Sequence, residues 1–333
     1  MTQLRNLITD VPGVRVGHAG DSKLGSGATV VLFDHPVAAS IDVRGGGPGT
    51  RETALLDPAQ TVEGIDSIVL SGGSAFGLDA ASGTQAYLRE QGRGFKVREA
   101  LVPIVPAAIL FDLLSGGDKD WGRYPPYREF GYQAAKAASG TDFALGSVGA
   151  GLGATTVNLK GGIGSASART SAGITVGALV AVNAAGSVTV GDSPHFWAAP
   201  FELDNEFGGR GLPPNFGPEA FELRTKGAPG QNTTLAVIAT DAKLSKAQCK
   251  RLAVMAHTGM ARAIYPVHTP LDGDVVFSAA MGDKELANPV YGLAELGMLA
   301  ANVLARAIAR GVHDAKALGF PGALPDWQAR HGK

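Results

Sequence analysis

A chain of 333 residues with 45% hydrophobic and 18% charged side chains carries enough apolar material for a large buried core and too little charge for extended disorder. Its formal net charge of -1 and scattered basic residues leave no electrostatic footprint for nucleic acid, so no such partner is expected. The single cysteine, Cys249, excludes an intramolecular disulfide, and the N-terminus lacks the basic start and apolar stretch of a secretory leader, which together predict a cytoplasmic protein.

In chain order, residues 28–33 and 67–70 are short β-rich runs between glycine-rich turns and predict sheet strands. Residues 74–89 follow the Gly72-Gly73 turn with helical spacing and with Ser74 available as an N-cap, which completes a strand-turn-helix step. Residues 143–191 are rich in Gly, Ala, Val, Ser and Thr and contain no Asp or Glu, the texture of tightly packed strands and hairpins. Residues 195–230 turn to Pro, Phe, Asn and Gly with little periodicity and predict an irregular connecting loop.

That loop runs into residues 233–240, whose β-branched content and length suit a central buried strand. A helix over about 245–264 follows, with Leu252, Met255, Ala256, Gly259 and Ala263 on one face. Then come a loop at 265–273, a strand at 274–281 and a long apolar helix from Val290. Glu295, Arg306 and Arg310 interrupt that apolar stretch, so it reads as a buried packing helix and no membrane insertion is predicted. One compact α/β unit spanning 1–333 is the simplest organisation.

The junction between Asn232 and Thr233 joins a turn-forming segment to the first residue of the buried strand. A hydroxyl there can reach the preceding carbonyl. In a strained turn, Thr233 can attack Asn232 by an N-to-O acyl shift, and hydrolysis of the ester then frees a new α-amine. An α-amine titrates near ~7.7–8.0, so it can act as base for the hydroxyl of its own residue. Taken locally, Asn232-Thr233-Thr234 reads more readily as a plain turn entering a strand.

Several ordered motifs extend the reading. Ile8-Thr9-Asp10-Val11-Pro12-Gly13-Val14-Arg15-Val16-Gly17-His18, Asp42-Val43-Arg44-Gly45-Gly46, Ser71-Gly72-Gly73-Ser74-Ala75-Phe76-Gly77-Leu78-Asp79, Lys160-Gly161-Gly162-Ile163-Gly164-Ser165 and Val176-Gly177-Ala178-Leu179-Val180-Ala181-Val182-Asn183 resemble the DmpA-type aminopeptidase family, over nearly the whole chain. The resemblance implies an αββα sandwich of the N-terminal-nucleophile-like kind, as also found in ornithine acetyltransferase. It implies self-cleavage into residues 1–232 and 233–333, which stay together, and a homo-oligomer of the cleaved protein. It implies no cofactor.

Within that group the aminopeptidases commonly cut before serine, whereas the nylon-oligomer (6-aminohexanoate-oligomer) hydrolases share the Asn-Thr-Thr found here. By similarity Thr233 is the nucleophile, Asn183 supports the reacting carbonyl oxygen, and Asp272 with Asp274 orients the amine. Nylon-oligomer hydrolases carry a lysine in the segment matching residues 149–160; a gapless match puts Asn158 there, and Lys160 fills the role if the loop is shortened. Asn158 and Ser74 are then candidate substrate-binding residues. The aminopeptidase branch has a tyrosine in this segment, where Val157 stands here.

The implied activity is hydrolysis of linear amide bonds, with an aminopeptidase on small or β-amino N-termini, an acetyl transferase and a non-catalytic binding protein as alternatives. Other motifs carry less. The glycines of 149–154 fit a dinucleotide pattern but lack the acidic residue ~20 positions later. Gly72-Gly73-Ser74-Ala75-Phe76 lacks the spacing of a nucleophile elbow. His257 and His268 are expected to pack or hydrogen-bond locally, Cys249 to be inert, and the two carboxylates at 272 and 274 to fall short of a metal site.

Overall fold

The computed structural model describes residues 3–226 and 232–332. Its strands and helices are, in chain order, β1 (Val14–Asp21), β2 (Ser26–Val43), β3 (Gly49–Arg51), β4 (Ile65–Ser71), α1 (Ala80–Glu90), β5 (Phe95–Val97), β6 (Ala100–Val102), β7 (Ala107–Ile109), α2 (Tyr127–Lys136), β8 (Ile163–Arg169), β9 (Thr175–Asn183), β10 (Thr233–Ala242), α3 (Lys246–Ala263), β11 (Val275–Lys284), α4 (Pro289–His313) and α5 (Trp327–His331). Strand β2 serves two sheets. Its first part pairs with β1 and β4 and its second with β11, and the register breaks between Leu32 and Val37. One sheet therefore runs β3-β7-β4-β2-β1, and the other runs β2-β11-β10-β9-β8.

Side-chain alternation sorts the residues into layers. Val31, Phe33, Ile68 and Leu70 of the first sheet meet Leu179, Ala181, Leu235, Val237 and Phe277 of the second in one core. On the outer face of the first sheet, Ala28, Val30, Leu32 and Val69 pack with Ala81 and Leu88 of α1 and Ala134 of α2. On the outer face of the second, Val176, Val180, Ala236, Ile238 and Val276 pack with Leu252 and Ala256 of α3 and Leu304 and Ile308 of α4. The layers are helix, sheet, sheet, helix, an αββα sandwich. Every residue of β9 and β10 is buried because both faces of these strands are covered, which is why they read as unbroken apolar runs.

Helix α3 begins where its sequence signal lies, with Ser245 accepting from the Gln248 N–H and the Gln248 side chain returning to the Ser245 backbone. Helix α4 is long and apolar enough to cross a membrane by length alone, yet it packs on β8, β9 and α3, with Arg306 turned inward to Glu206 at 2.5 Å. Two expectations are corrected. Ser74 does not cap a helix: it is the first residue of a 3-10 turn (Ser74–Asp79) that precedes α1, it sits at φ 53, a left-handed conformation, and Asp79 holds the N-cap position of α1. Residues 143–191 hold β8 and β9, and the rest of the stretch is turns and one 3-10 turn (Gly149–Gly151).

Strand β8 and helix α4 touch backbone to backbone at Gly164, where an added Cβ would lie 1.8 Å from the Ala307 carbonyl oxygen. Gly164→Ala is expected to destabilise the fold by about 1–3 kcal/mol through overpacking, seen as a lower denaturant midpoint at unchanged m-value.

Candidate active site

Strand direction determines what surrounds Thr233. Strand β9 runs antiparallel to β10, so its last residue, Asn183, lies opposite Thr233. Strand β11 runs parallel to β10, so the loop that enters β11 lies beside the start of β10, and Asn232 bridges to Asp272. Asn183, Asn232, Thr233, Asp272 and Asp274 thus converge from three segments, all at 2% exposure or less.

The Asn232 carbonyl oxygen accepts a hydrogen bond from the Gly273 N–H at 2.8 Å and a short one from the Thr233 hydroxyl. Glycine at 273 is required by this approach: an added Cβ would lie 2.6 Å from Thr233 Oγ1 and 2.7 Å from the Gly47 carbonyl oxygen. The Arg44-Gly45-Gly46-Gly47 backbone wraps the same loop. Gly47 N–H donates to the Asp272 carbonyl at 2.8 Å and Arg44 N–H to the Asp274 carbonyl at 3.0 Å, and a Cβ at Gly45 would lie 2.3 Å from the Asp274 nitrogen. This packing accounts for the glycine motif of the sequence.

Both acids are held by donors. Asp274 Oδ1 accepts from the Thr234 N–H at 2.9 Å, and its Oδ2 receives the His268 N–H at 3.1 Å and pairs with His268 Nδ1 at 2.9 Å. Asp272 Oδ1 accepts from the Ala185 N–H at 3.0 Å, and its Oδ2 from the Thr269 hydroxyl at 2.7 Å and N–H at 3.2 Å. Burial, helped by the neighbouring Asp274 charge, raises the Asp272 pKa above the usual carboxylate value. The His268 ring stands edge-on to that of His257 at 4.9 Å, and His257 Nε2 lies 3.0 Å from the Asp42 carbonyl oxygen.

Asn183 is fixed from both ends of its amide. Its Nδ2 donates to the Phe111 carbonyl at 3.1 Å, while its Oδ1 accepts from the Thr155 N–H at 3.0 Å and from the Lys226 ammonium at 2.9 Å. Phe111, Thr155 and Lys226 also line a cavity of about 200 Å³ together with Leu114, Pro321 and Leu324. Lys226 is the one charged residue among the described residues of that lining.

The remaining sequence candidates hydrogen-bond to other segments. Lys160 Nζ donates to the carbonyls of Gly151, Ala154 and Gly161 at 2.6–2.8 Å, a use of all three donors that fastens the turn ahead of Thr155. Burial pushes its pKa down to about 7. Asn158 is committed to the 187–192 loop, with Nδ2 donating to the Gly191 carbonyl at 3.2 Å and Asp192 Oδ1 at 3.1 Å. The Ser74 backbone N–H donates to the Leu110 carbonyl, and the side chain is partly exposed. Sequence reasoning missed Lys226, whose signal was that it is the only charge between Arg224 and Asp241. It also passed over Gly273.

This constellation has counterparts across the whole chain. The description Peptidase family S58 matches residues 6–322. The chain belongs to that family. An uncharacterised aminopeptidase of Mycobacterium tuberculosis is 44% identical over 348 residues, covering 96% of this chain and 99% of its own length. A 6-aminohexanoate-oligomer endohydrolase of Kocuria sp. is 27% identical over 310 residues, covering 89% and 80%. The solved L-aminopeptidase D-Ala-esterase/amidase of Ochrobactrum anthropi, titled as a variant of the Ntn hydrolase fold, superposes with a TM-score of 0.72 at 21% identity, over 97% of this chain and 92% of its own. The resemblance to DmpA-type enzymes is borne out, and the S58 protein is a hydrolase of the aminopeptidase/amidase type with an Ntn-hydrolase fold.

Two buried histidines are expected to make this chain's fold acid-sensitive. Burial lowers the pKa of His18 and of His257 to about 4, from 6.5. Below pH 6.5 the unfolded chain takes up protons that the folded chain refuses, so stability falls between pH 6.5 and 4 by up to about 1.4 kcal/mol per pH unit for each histidine. Urea midpoints measured across that window are expected to fall accordingly, and less steeply in His257→Phe.

Proposed function

We propose that this protein is a self-cleaving amidohydrolase that cuts its own chain between Asn232 and Thr233 and then uses Thr233 as an N-terminal nucleophile on linear amide bonds. The observation that carries the reading is the Thr233 hydroxyl on the Asn232 carbonyl oxygen, which is at the same time hydrogen-bonded by the Gly273 N–H. In the first step Thr233 Oγ bonds to the Asn232 carbonyl carbon, the Asn232–Thr233 C–N bond breaks, and the hydroxyl proton passes to the released amine. Water then hydrolyses the ester, leaving a carboxylate on Asn232 and a free amine and hydroxyl on Thr233. The Gly273 N–H already points at the oxygen on which negative charge develops.

In turnover the same atoms act on substrate: the α-amine takes the hydroxyl proton, Oγ bonds to the substrate carbonyl carbon, the proton passes to the leaving amine, and water releases the acyl group. Asn183 supports the carbonyl oxygen and Asp272 and Asp274 hold the amine. Lys160, whose ammonium supports the turn before Thr155, contributes by shaping that wall. Substrate enters the cavity along Phe111, Thr155 and Lys226; Asn158 and Ser74 are the weaker substrate-binding assignments. The Asn232-Thr233-Thr234 sequence, which resembles that of the nylon-oligomer hydrolases, favours 6-aminohexanoate-type linear amides. The 44% identical relatives named aminopeptidases support the second reading, a small or β-amino N-terminus as substrate. We further propose a single hydrolase domain acting as a cytoplasmic homo-oligomer of cleaved protomers.

Intact-mass analysis is expected to show two chains, 1–232 and 233–333, in active protein, and only full-length, inactive chain in Thr233→Ala. Full amidase activity in uncut Thr233→Ala would end the proposal. Gly273→Ala is expected to slow cleavage about a hundredfold, since its methyl group displaces Oγ1 and the N–H donor. Matched oligomers with free and acylated N-termini separate the two substrate readings.

A further inference from the structure

Lys226 is bound at both its side chain and its backbone. Its ammonium donates to Asn183 Oδ1 at 2.9 Å, the Thr155 carbonyl at 2.8 Å and Thr155 Oγ1 at 2.9 Å, which accounts for all three of its donors. Its backbone N–H donates to the Ala185 carbonyl at 3.2 Å, and its own carbonyl accepts from Asn232 Nδ2 at 2.9 Å. Residues 226 and 232 therefore touch each other, and residue 226 is fastened to the end of β9 opposite Thr233. Holding a cation in this wall incurs a desolvation penalty that a methionine of similar length would not, so packing alone does not explain a lysine here.

We infer that Lys226 is a positioning residue for cleavage of the Asn232–Thr233 bond: its ammonium fixes the Asn183 amide while its carbonyl holds the Asn232 side chain, so that the residue bearing the scissile carbonyl is anchored beside Thr233. The inference rests on the self-cleavage reading and extends it to the upstream side of the bond. Charged groups facing the ammonium are Asp272 and Asp112, which favour its charge, and Lys160, a like charge that opposes it. Desolvation nevertheless lowers its pKa to about 7. Without the ammonium the Asn183 oxygen loses a charged donor, and Asn183 and Asn232 are free to shift by the ångström or so that slows a positioned reaction ~100-fold.

The test follows conversion of full-length protein to residues 1–232 and 233–333 by intact mass in wild type, Lys226→Met and Lys226→Ala, with thermal midpoints measured alongside. Lys226→Met, which keeps most of the aliphatic stem, is expected to fold with a similar midpoint and to cleave at least ~10-fold more slowly. Added propylammonium is expected to restore cleavage in Lys226→Ala, and 1-propanol is not. Cleavage of both variants within twofold of wild type would overturn the inference, as would equal rescue by the alcohol, which reduces Lys226 to a filler. If wild type is cut at Thr233 and Thr233→Ala is not, such results defeat this inference alone. If Thr233→Ala is cut as well, the self-cleavage reading fails.

Discussion

The parallel pairing of β10 with β11 governs everything around Thr233. Two parallel neighbours begin at the same end of a sheet, so whatever leads into one is delivered to the first residue of the other. The Thr269–Asp274 loop is delivered in this way to Asn232 and Thr233. Antiparallel β9 adds Asn183 from the opposite side. Residues some fifty positions away in sequence on one side and forty on the other thus meet through backbone ladders, the least deformable contacts the fold has, and no flexible side chain has to search for its partner.

Close approach is achieved by omission. Gly45, Gly46 and Gly273 let three backbone segments pass within hydrogen-bond distance, and the space a Cβ would fill is occupied by Thr233 Oγ1 or by main-chain atoms. The two acids behind this layer are saturated with N–H and hydroxyl donors. Such donors favour the charged form, while burial disfavours it, and at Asp272 burial prevails.

Much of this was legible in the sequence because periodicity survives burial. The β-branched run from Thr233, the one-sided apolar spacing of 245–264 and the apolar stretch from Val290 each specify an element by local chemistry, and each element formed with bounds shifted by one or two residues. The layered sandwich came from the motif resemblance, since no local signal says that β2 continues through a bend into a second sheet. Ser74 was misread because a left-handed backbone at Gly73 and Ser74 cannot be inferred from helical spacing. Within the candidate site, Thr233, Asn183 and the paired acids were found through motifs, and the structure brings them together. Lys226 was hidden because its partners, Asn183 and Thr155, are 43 and 71 positions away and only the closed fold brings them near.

The order of strands in the second sheet has a mechanical consequence. Strands β10 and β11 lie side by side between β9 and the far half of β2, and α3 and α4, the outer layer over them, follow in the same stretch of chain. A break before Thr233 would therefore divide the covalent chain without dividing any layer of the sandwich. Pulling the last hundred residues away would tear out the middle of a sheet and strip both hydrophobic interfaces at once. A molecule nicked at that point would be expected to melt as one cooperative body and to resist separation by dilution.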